Sequence, residues 1–191
     1  VLAEEAYVLG AWLIHYSTDY VFNGSGTTPW VETSRTDPLN VYGLTKRAGE
    51  EAIEESGCKH LILRTSWVYG VEGGNFAKTM LKLAQERDAL SVIADQFGAP
   101  TGAALLADVT AALIPRLLSA EGQTNARTWS GIYHLAAAGE TTWYDYACFV
   151  LRTAQAAGVS LKVSPEAVKA IPATDYPLPA TRPANSRLNC Q

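Results

Sequence analysis

Short, almost continuously apolar runs alternate along this chain with longer segments of helical period, and that alternation constrains the fold more than any other feature. "AWLIHYS", "HLILRTSWV", "LSVI" and "GIYHLA" read as strands, the first apolar almost throughout as expected where helices cover both faces of a parallel sheet. Between them, residues 1–10, 41–56, 75–87, 103–119 and 141–158 carry helical spacing. Gly10 and Gly57 suit the left-handed turn after a helix end, and Thr141 or Thr142 suits the cap of the last helix. The pattern predicts an α/β fold: a Rossmann-like, doubly wound, mostly parallel sheet with a smaller C-terminal lobe. Beyond Pro165 the chain turns proline-rich and reads as irregular.

With 191 residues, 48% of them hydrophobic, the chain can bury one sizeable core and a small second lobe. Its 15 basic and 19 acidic residues are interspersed, which argues against nucleic acid or a membrane surface as partner. No run approaches the ~18 apolar residues of a membrane span, and no basic segment precedes an apolar one at the N-terminus. Cys58, Cys148 and Cys190 are far apart and form no CxxC, so a reduced, cytoplasmic protein is expected. His15, His60 and His134 lie in or beside apolar runs and read as strand residues, so no metal site is expected. The chain starts with Val1 inside a predicted helix, as the later part of a longer protein would.

In doubly wound sheets ligands bind beyond the carboxyl ends of the strands, where "YSTDY" and "RTSWVYG" fall. The polar loop at 23–40 is long enough to suggest function. Tyr42 and Lys46, four apart, share a helix face. An ammonium there favours the phenolate, drawing the tyrosine toward a range where it exchanges a proton. Ser17 and Thr18, at the preceding strand end, offer a hydroxyl to a developing oxyanion. The plainer readings are an aromatic stacked on a lysine stem and strand-end hydroxyls capping the backbone. Chance alone supplies about 0.3 Tyr-x-x-x-Lys pairs in such a composition, so the pair by itself carries little weight.

A strand-end Ser/Thr followed 24 residues later by Tyr-x-x-x-Lys resembles the catalytic pattern of the extended short-chain dehydrogenases/reductases. Around it, "YSTDYVF", "PLNVYGLTK", "LRTSWVYG", "NFAKTML", "DQFGAPT", "YHL" and "RPANSRL" resemble the dTDP-4-dehydrorhamnose reductase family, in order, over nearly the whole chain. The resemblance implies that Tyr42 is the general acid, that Lys46 tunes it and holds the nicotinamide ribose, and that Thr18 polarises the sugar C4 carbonyl. It places Ser17, Ser66 and Val68 against the cofactor, NADPH or NADH. Asp19 and Tyr20 would line the sugar pocket, with Trp67 as its apolar wall. Asn75 and Phe76 would hold the diphosphate, Gln96, Pro100 and Thr101 would surround the thymidine, and Arg182 would bind phosphate. A helix N-terminus at Asn75 suits phosphate, and Asn75 equally suits an ordinary cap. The implied substrate is a dTDP-linked 4-keto-6-deoxyhexose of dTDP-rhamnose biosynthesis, the supply for lipopolysaccharide or cell-wall polysaccharide. Mg2+ and a homodimer are compatible with the resemblance and are not legible in the residues.

Related 4,6-dehydratases carry Asp-Glu after the strand-end Thr to move the C5 proton, whereas here Tyr20 follows Asp19, so reduction is expected rather than elimination. Epimerases of the superfamily usually show small residues there, which disfavours that alternative. A second reading is a non-catalytic partner-binding protein of the same fold, like the regulatory subunit of methionine adenosyltransferase. None of the 15 glycines builds a G-x-G-x-x-G or G-x-x-G-x-x-G loop, so the cofactor pyrophosphate cradle is missing. Residues 1–70 are therefore expected to be the second half of a dinucleotide-binding domain. Residues 71–191 would be mainly the sugar-nucleotide lobe, with some segments returning to the first domain. Such a chain alone is expected to be inactive and to expose a sheet edge and an apolar helix face.

Overall fold

The computed structural model describes residues 1–177 and 179–191. In chain order the elements are α1 (Leu2–Leu9), β1 (Trp12–Thr18), α2 (Val41–Ser56), β2 (Lys59–Thr65), β3 (Val68–Tyr69), α3 (Phe76–Glu86), β4 (Ser91–Ile93), β5 (Phe97–Gly98), β6 (Thr101–Gly102), α4 (Ala103–Leu118), α5 (Ala120–Thr124), α6 (Ala126–Trp129), β7 (Gly131–His134), β8 (Thr141–Thr142), α7 (Trp143–Ala156) and β9 (Lys169–Ile171). Single 3-10 turns lie at Asp19–Val21, Pro165–Ala167 and Ala173–Asp175.

The expected parallel sheet is present, ordered β1-β2-β7. Alternation sends Leu13, Ile62 and Ile132 to one face, against Ala6 of α1 and Ile53 of α2. Trp12, Ile14, Leu61 and Leu63 face the other way, against Leu113 and Leu117 of α4 and Trp129 of α6. β2 is covered on both sides, which is why it is apolar without alternation. A second hydrophobic assembly joins Met80 and Ala84 of α3 to Ala147, Cys148 and Leu151 of α7, with Leu90, Val92, Val163 and Val168 closing it. Gly10 and Gly57 end their helices at φ 62° and 68°, and Thr142 caps α7 by accepting from the Asp145 N–H.

Three local expectations change. "HLILRTSWV" is two strands in different sheets: β2 stops at Thr65, Trp67 turns the chain at φ 48°, and β3 pairs with β6. A bulky residue in the left-handed region costs ~1–3 kcal/mol, and packing holds it there: the indole lies on Trp143 and against Gly98. The polar segment between α4 and β7, outside the helical runs named above, contains α5 and α6. The proline-rich tail is not irregular throughout. It contains β9, then an extended strap whose backbone is paired from Asn185 to Gly24, from Phe97 to Ala184 and from Trp30 to Arg187. Such pairing carries no side-chain period, so no pattern betrays it.

Among the described residues no strand pairs the outer edge of β1. Beside it α1 leaves Leu2, Val8 and Leu9 exposed, Val8 and Leu9 at 77% and 76%.

Candidate active site at the carboxyl edge of the sheet

Thr18 and Thr65 stand opposite each other where β1 and β2 end, so the residues just beyond each strand lie at the ligand-binding edge. The buried Thr18 hydroxyl accepts from the Tyr20 N–H at 3.2 Å and donates to Asp19 Oδ1 at 3.2 Å. Asp19 is only 2% exposed. Burial pushes its carboxyl up to about 7, with the hydroxyls of Ser186 and Thr18 and its own backbone N–H holding part of the rise back.

The next helix is brought against this turn by two residues. Asn40 Oδ1 caps α2 by accepting from the Gly43 N–H at 2.9 Å, and Gly43 has no room for a side chain. A Cβ there would lie 2.2 Å from the Tyr20 carbonyl oxygen. The close approach sets the rings of Tyr20 and Tyr42 edge to face, 5.6 Å apart, with Tyr42 about half exposed. One turn on, Lys46 donates to the Tyr16 carbonyl and lies 3.3 Å from His15 Nε2. Burial and the Lys46 charge lower the His15 pKa, and because an ammonium can only donate, Nε2 is the acceptor of this contact. Burial also lowers Lys46, opposed by Glu50.

Glu50, one turn further, is the base of this layer. Its carboxylate takes Arg64 Nε at 2.8 Å and Nη2 at 2.6 Å in a fully buried pair. Burial alone would raise Glu50, but the hydrogen bonds from Arg64, the nearby Ser17 hydroxyl, the Arg64 charge and a bond from Arg47 outweigh it and hold it below its ordinary range.

Above this layer, Tyr20, Asn40, Tyr42, Pro179, Thr181 and Arg182 line a cleft of about 630 Å³. Arg182 also lines a second cleft of about 430 Å³, with Phe76, Arg87, Val92, Trp143 and Tyr176. The charge of Arg182 works against the rise that burial, Asp19 and Tyr42 impose on Tyr20. None of the ion pairs among the described residues uses Arg182. A guanidinium at the junction of two clefts, without a carboxylate, suits an anion spanning both.

The structure thus brings Thr18, Asp19, Tyr20, Tyr42, Lys46 and Arg182 to one edge, with Ser17 buried beneath, beside Glu50. A second group gathers at Trp143, whose ring stacks on Trp67 at 3.5 Å and meets Phe76 at 4.5 Å. Asn75 is the cap of α3, accepting from the Lys78 N–H and donating to the Gly70 carbonyl at 2.7 Å. Ser66 and Gln96 are buried, Pro100 is half-buried and Val68 is exposed. Thr101 is fully buried, its hydroxyl donating to Ala99 and accepting from Ala137. Sequence reasoning passed over His15, Asn40, Gly43, Trp143 and Ser186. Of these only Asn40, a cap residue just before a helical run, carried a readable signal. His60 and His134 bond backbone carbonyls, and among the described residues no group of three His, Cys, Asp or Glu is placed to hold a metal.

A parallel sheet with a threonine at one strand end and a Tyr-x-x-x-Lys helix packed on it defines the class of the fold: a Rossmann-like α/β domain. The chain belongs to the RmlD substrate binding domain family, whose model matches residues 1–191. It is 57% identical over 190 residues to the dTDP-4-dehydrorhamnose reductase of Escherichia coli K12, covering 100% of this chain and 61% of that protein. The crystal structure of the Bacillus anthracis dTDP-4-dehydrorhamnose reductase in complex with NADP superimposes with a TM-score of 0.85 at 34% identity, over 100% of this chain and 61% of that one. A Clostridium acetobutylicum ortholog gives 0.83 at 35%, over 99% and 60%. The chain therefore spans about three fifths of the length of these relatives.

Proposed function

We propose that this chain is the catalytic and sugar-nucleotide-binding part of a reductase that converts the C4 keto group of dTDP-4-dehydro-L-rhamnose to the hydroxyl of dTDP-L-rhamnose with NAD(P)H. The observation that carries the reading is the cleft in which Tyr42 and Tyr20 face Arg182, directly beyond Thr18. In it, residues 1–70 are the second half of the dinucleotide-binding domain and 71–191 mainly the sugar-nucleotide lobe.

Thr18 turns its single hydroxyl proton from Asp19 Oδ1 to the C4 oxygen, and Tyr42 delivers its phenolic proton there as negative charge develops. Lys46 is anchored by Tyr16 and His15, which leaves its third N–H for a ribose hydroxyl. A nicotinamide nucleotide, when bound, supplies the hydride that reaches C4. The residues present fit its nicotinamide end, with Ser17, Ser66 and Val68 alongside, and include no glycine-rich loop for its pyrophosphate. Asp19, Tyr20 and Trp67 border the hexose, Arg182 holds the diphosphate with Asn75 and Phe76, and Gln96, Pro100 and Thr101 lie toward the thymidine. Tyr20, its pKa raised by burial, stays a neutral phenol and does not replace the glutamate an elimination needs.

Calorimetry tests the reading. dTDP-L-rhamnose should bind this chain, more weakly after Arg182→Ala, while NADPH binds little. Absence of sugar-nucleotide binding, or binding indifferent to Arg182, would sink it.

A further inference from the structure

We propose that Asn40 is a positioning residue that couples the anion held by Arg182 to the placement of Tyr42, an inference that rests on the reductase reading above. An ordinary helix cap needs only the Asn40 oxygen, which accepts from Gly43. Here the other half of the amide is used as well: Nδ2 donates to the Thr181 carbonyl at 2.8 Å, across 141 positions of sequence. One orientation of the amide satisfies both bonds, since an N–H requires the oxygen and a carbonyl requires the NH2.

Both ends of the link matter to the site. Gly43, which Asn40 caps, is the residue packed on the Tyr20 carbonyl, and Tyr42 precedes it. Thr181 precedes Arg182, and all of these except Gly43 line the same cleft. On its other side Arg182 is followed by an anchored strap: Pro183 lies on Gly24, the Asn185 N–H donates to the Gly24 carbonyl, and Asn185 Nδ2 donates to Ser25 and Thr28. Among the described residues of 177–182, the Asn40 bond is the hydrogen bond that ties the segment to the body. Arg182 is thus fixed from two sides, and one of the two fixings is the first turn of the helix that carries Tyr42. An anion that draws in Arg182 shortens and orders that link, and through it the first turn of α2.

The test uses dTDP as the probe. Asn40→Asp keeps an oxygen for the Gly43 N–H and sets a carboxylate against the Thr181 carbonyl, so the cap survives and the link is lost. Asn40→Ser, too short to reach Thr181, is the second variant. Calorimetry should show dTDP bound about tenfold more weakly by either variant, with no added weakening when the change is placed on Arg182→Ala. At saturating dTDP, amide exchange across residues 41–46 should slow in the wild type and not in the variants. Wild-type affinity in Asn40→Asp, or the same loss with and without Arg182, would overturn the coupling and leave the reductase reading standing. Failure of the wild-type chain to bind dTDP would overturn both.

Discussion

Asp19 carries the largest consequence of a single side chain's burial. With its carboxyl near 7 in the folded chain and near the ordinary ~3.9 when unfolded, the folded state keeps a proton that the unfolded state has lost. Its contribution is fully present below about pH 4 and is lost as pH rises through about 7, on the order of 4 kcal/mol across the window. His15 and His134, both lowered by burial, act in the opposite direction, gaining stability as pH rises. The difference between wild type and Asp19→Asn isolates the carboxyl. Urea unfolding from about pH 4 to about pH 8 should show the variant overtaking the wild type toward the alkaline end. A constant difference would mean that Asp19 stays ionised in the fold. The same carboxyl takes the Thr18 hydroxyl as a donor, so the state of Asp19 also bears on what Thr18 offers a substrate.

At the scale of the element, α2 is where two glycines of one helix have opposite meanings. In an exposed helix, glycine to alanine gains up to ~1 kcal/mol. Gly49→Ala should follow that rule, since its new Cβ would have only His15 Nε2 near, at 3.9 Å. Gly43→Ala should lose ~1–3 kcal/mol, because its Cβ would strike a backbone oxygen at 2.2 Å and Pro38 at 2.9 Å. Thermal melts of the two variants should move in opposite directions. Equal shifts would mean that α2 does not depend on its approach to Tyr20. The helix itself and its stop at Gly57 were legible in the sequence, while its cap at Asn40 was passed over. Which glycine faces a neighbour was not, because both occur in the same helical period.

For the whole molecule, β1 has no strand on its outer edge among the described residues, and α1, packed on β1 and α2, leaves apolar residues exposed. An apolar helix face beside an open edge favours association between copies. Sedimentation should show this chain growing in mass with concentration, and Val8→Glu combined with Leu9→Lys should return it toward the monomer. A wild type that stays monomeric at high concentration would refute the point.

The fold class followed from the sequence because burial of both faces of a sheet leaves a mark in its central strand: "HLILR" is apolar at each position between His60 and the Arg64 that pairs with Glu50. The Tyr42 and Lys46 face was readable for the same reason, as a local period fixes which side chains share a side. Tertiary structure alone decided the rest. Nothing local marks His15 as the partner of Lys46, Trp143 as the partner of Trp67, or Thr181 as the partner of Asn40. Each joins residues distant in sequence, through a contact that neither segment needs for its own secondary structure. Such contacts exist only once the sheet, the helices and the strap have closed on one another.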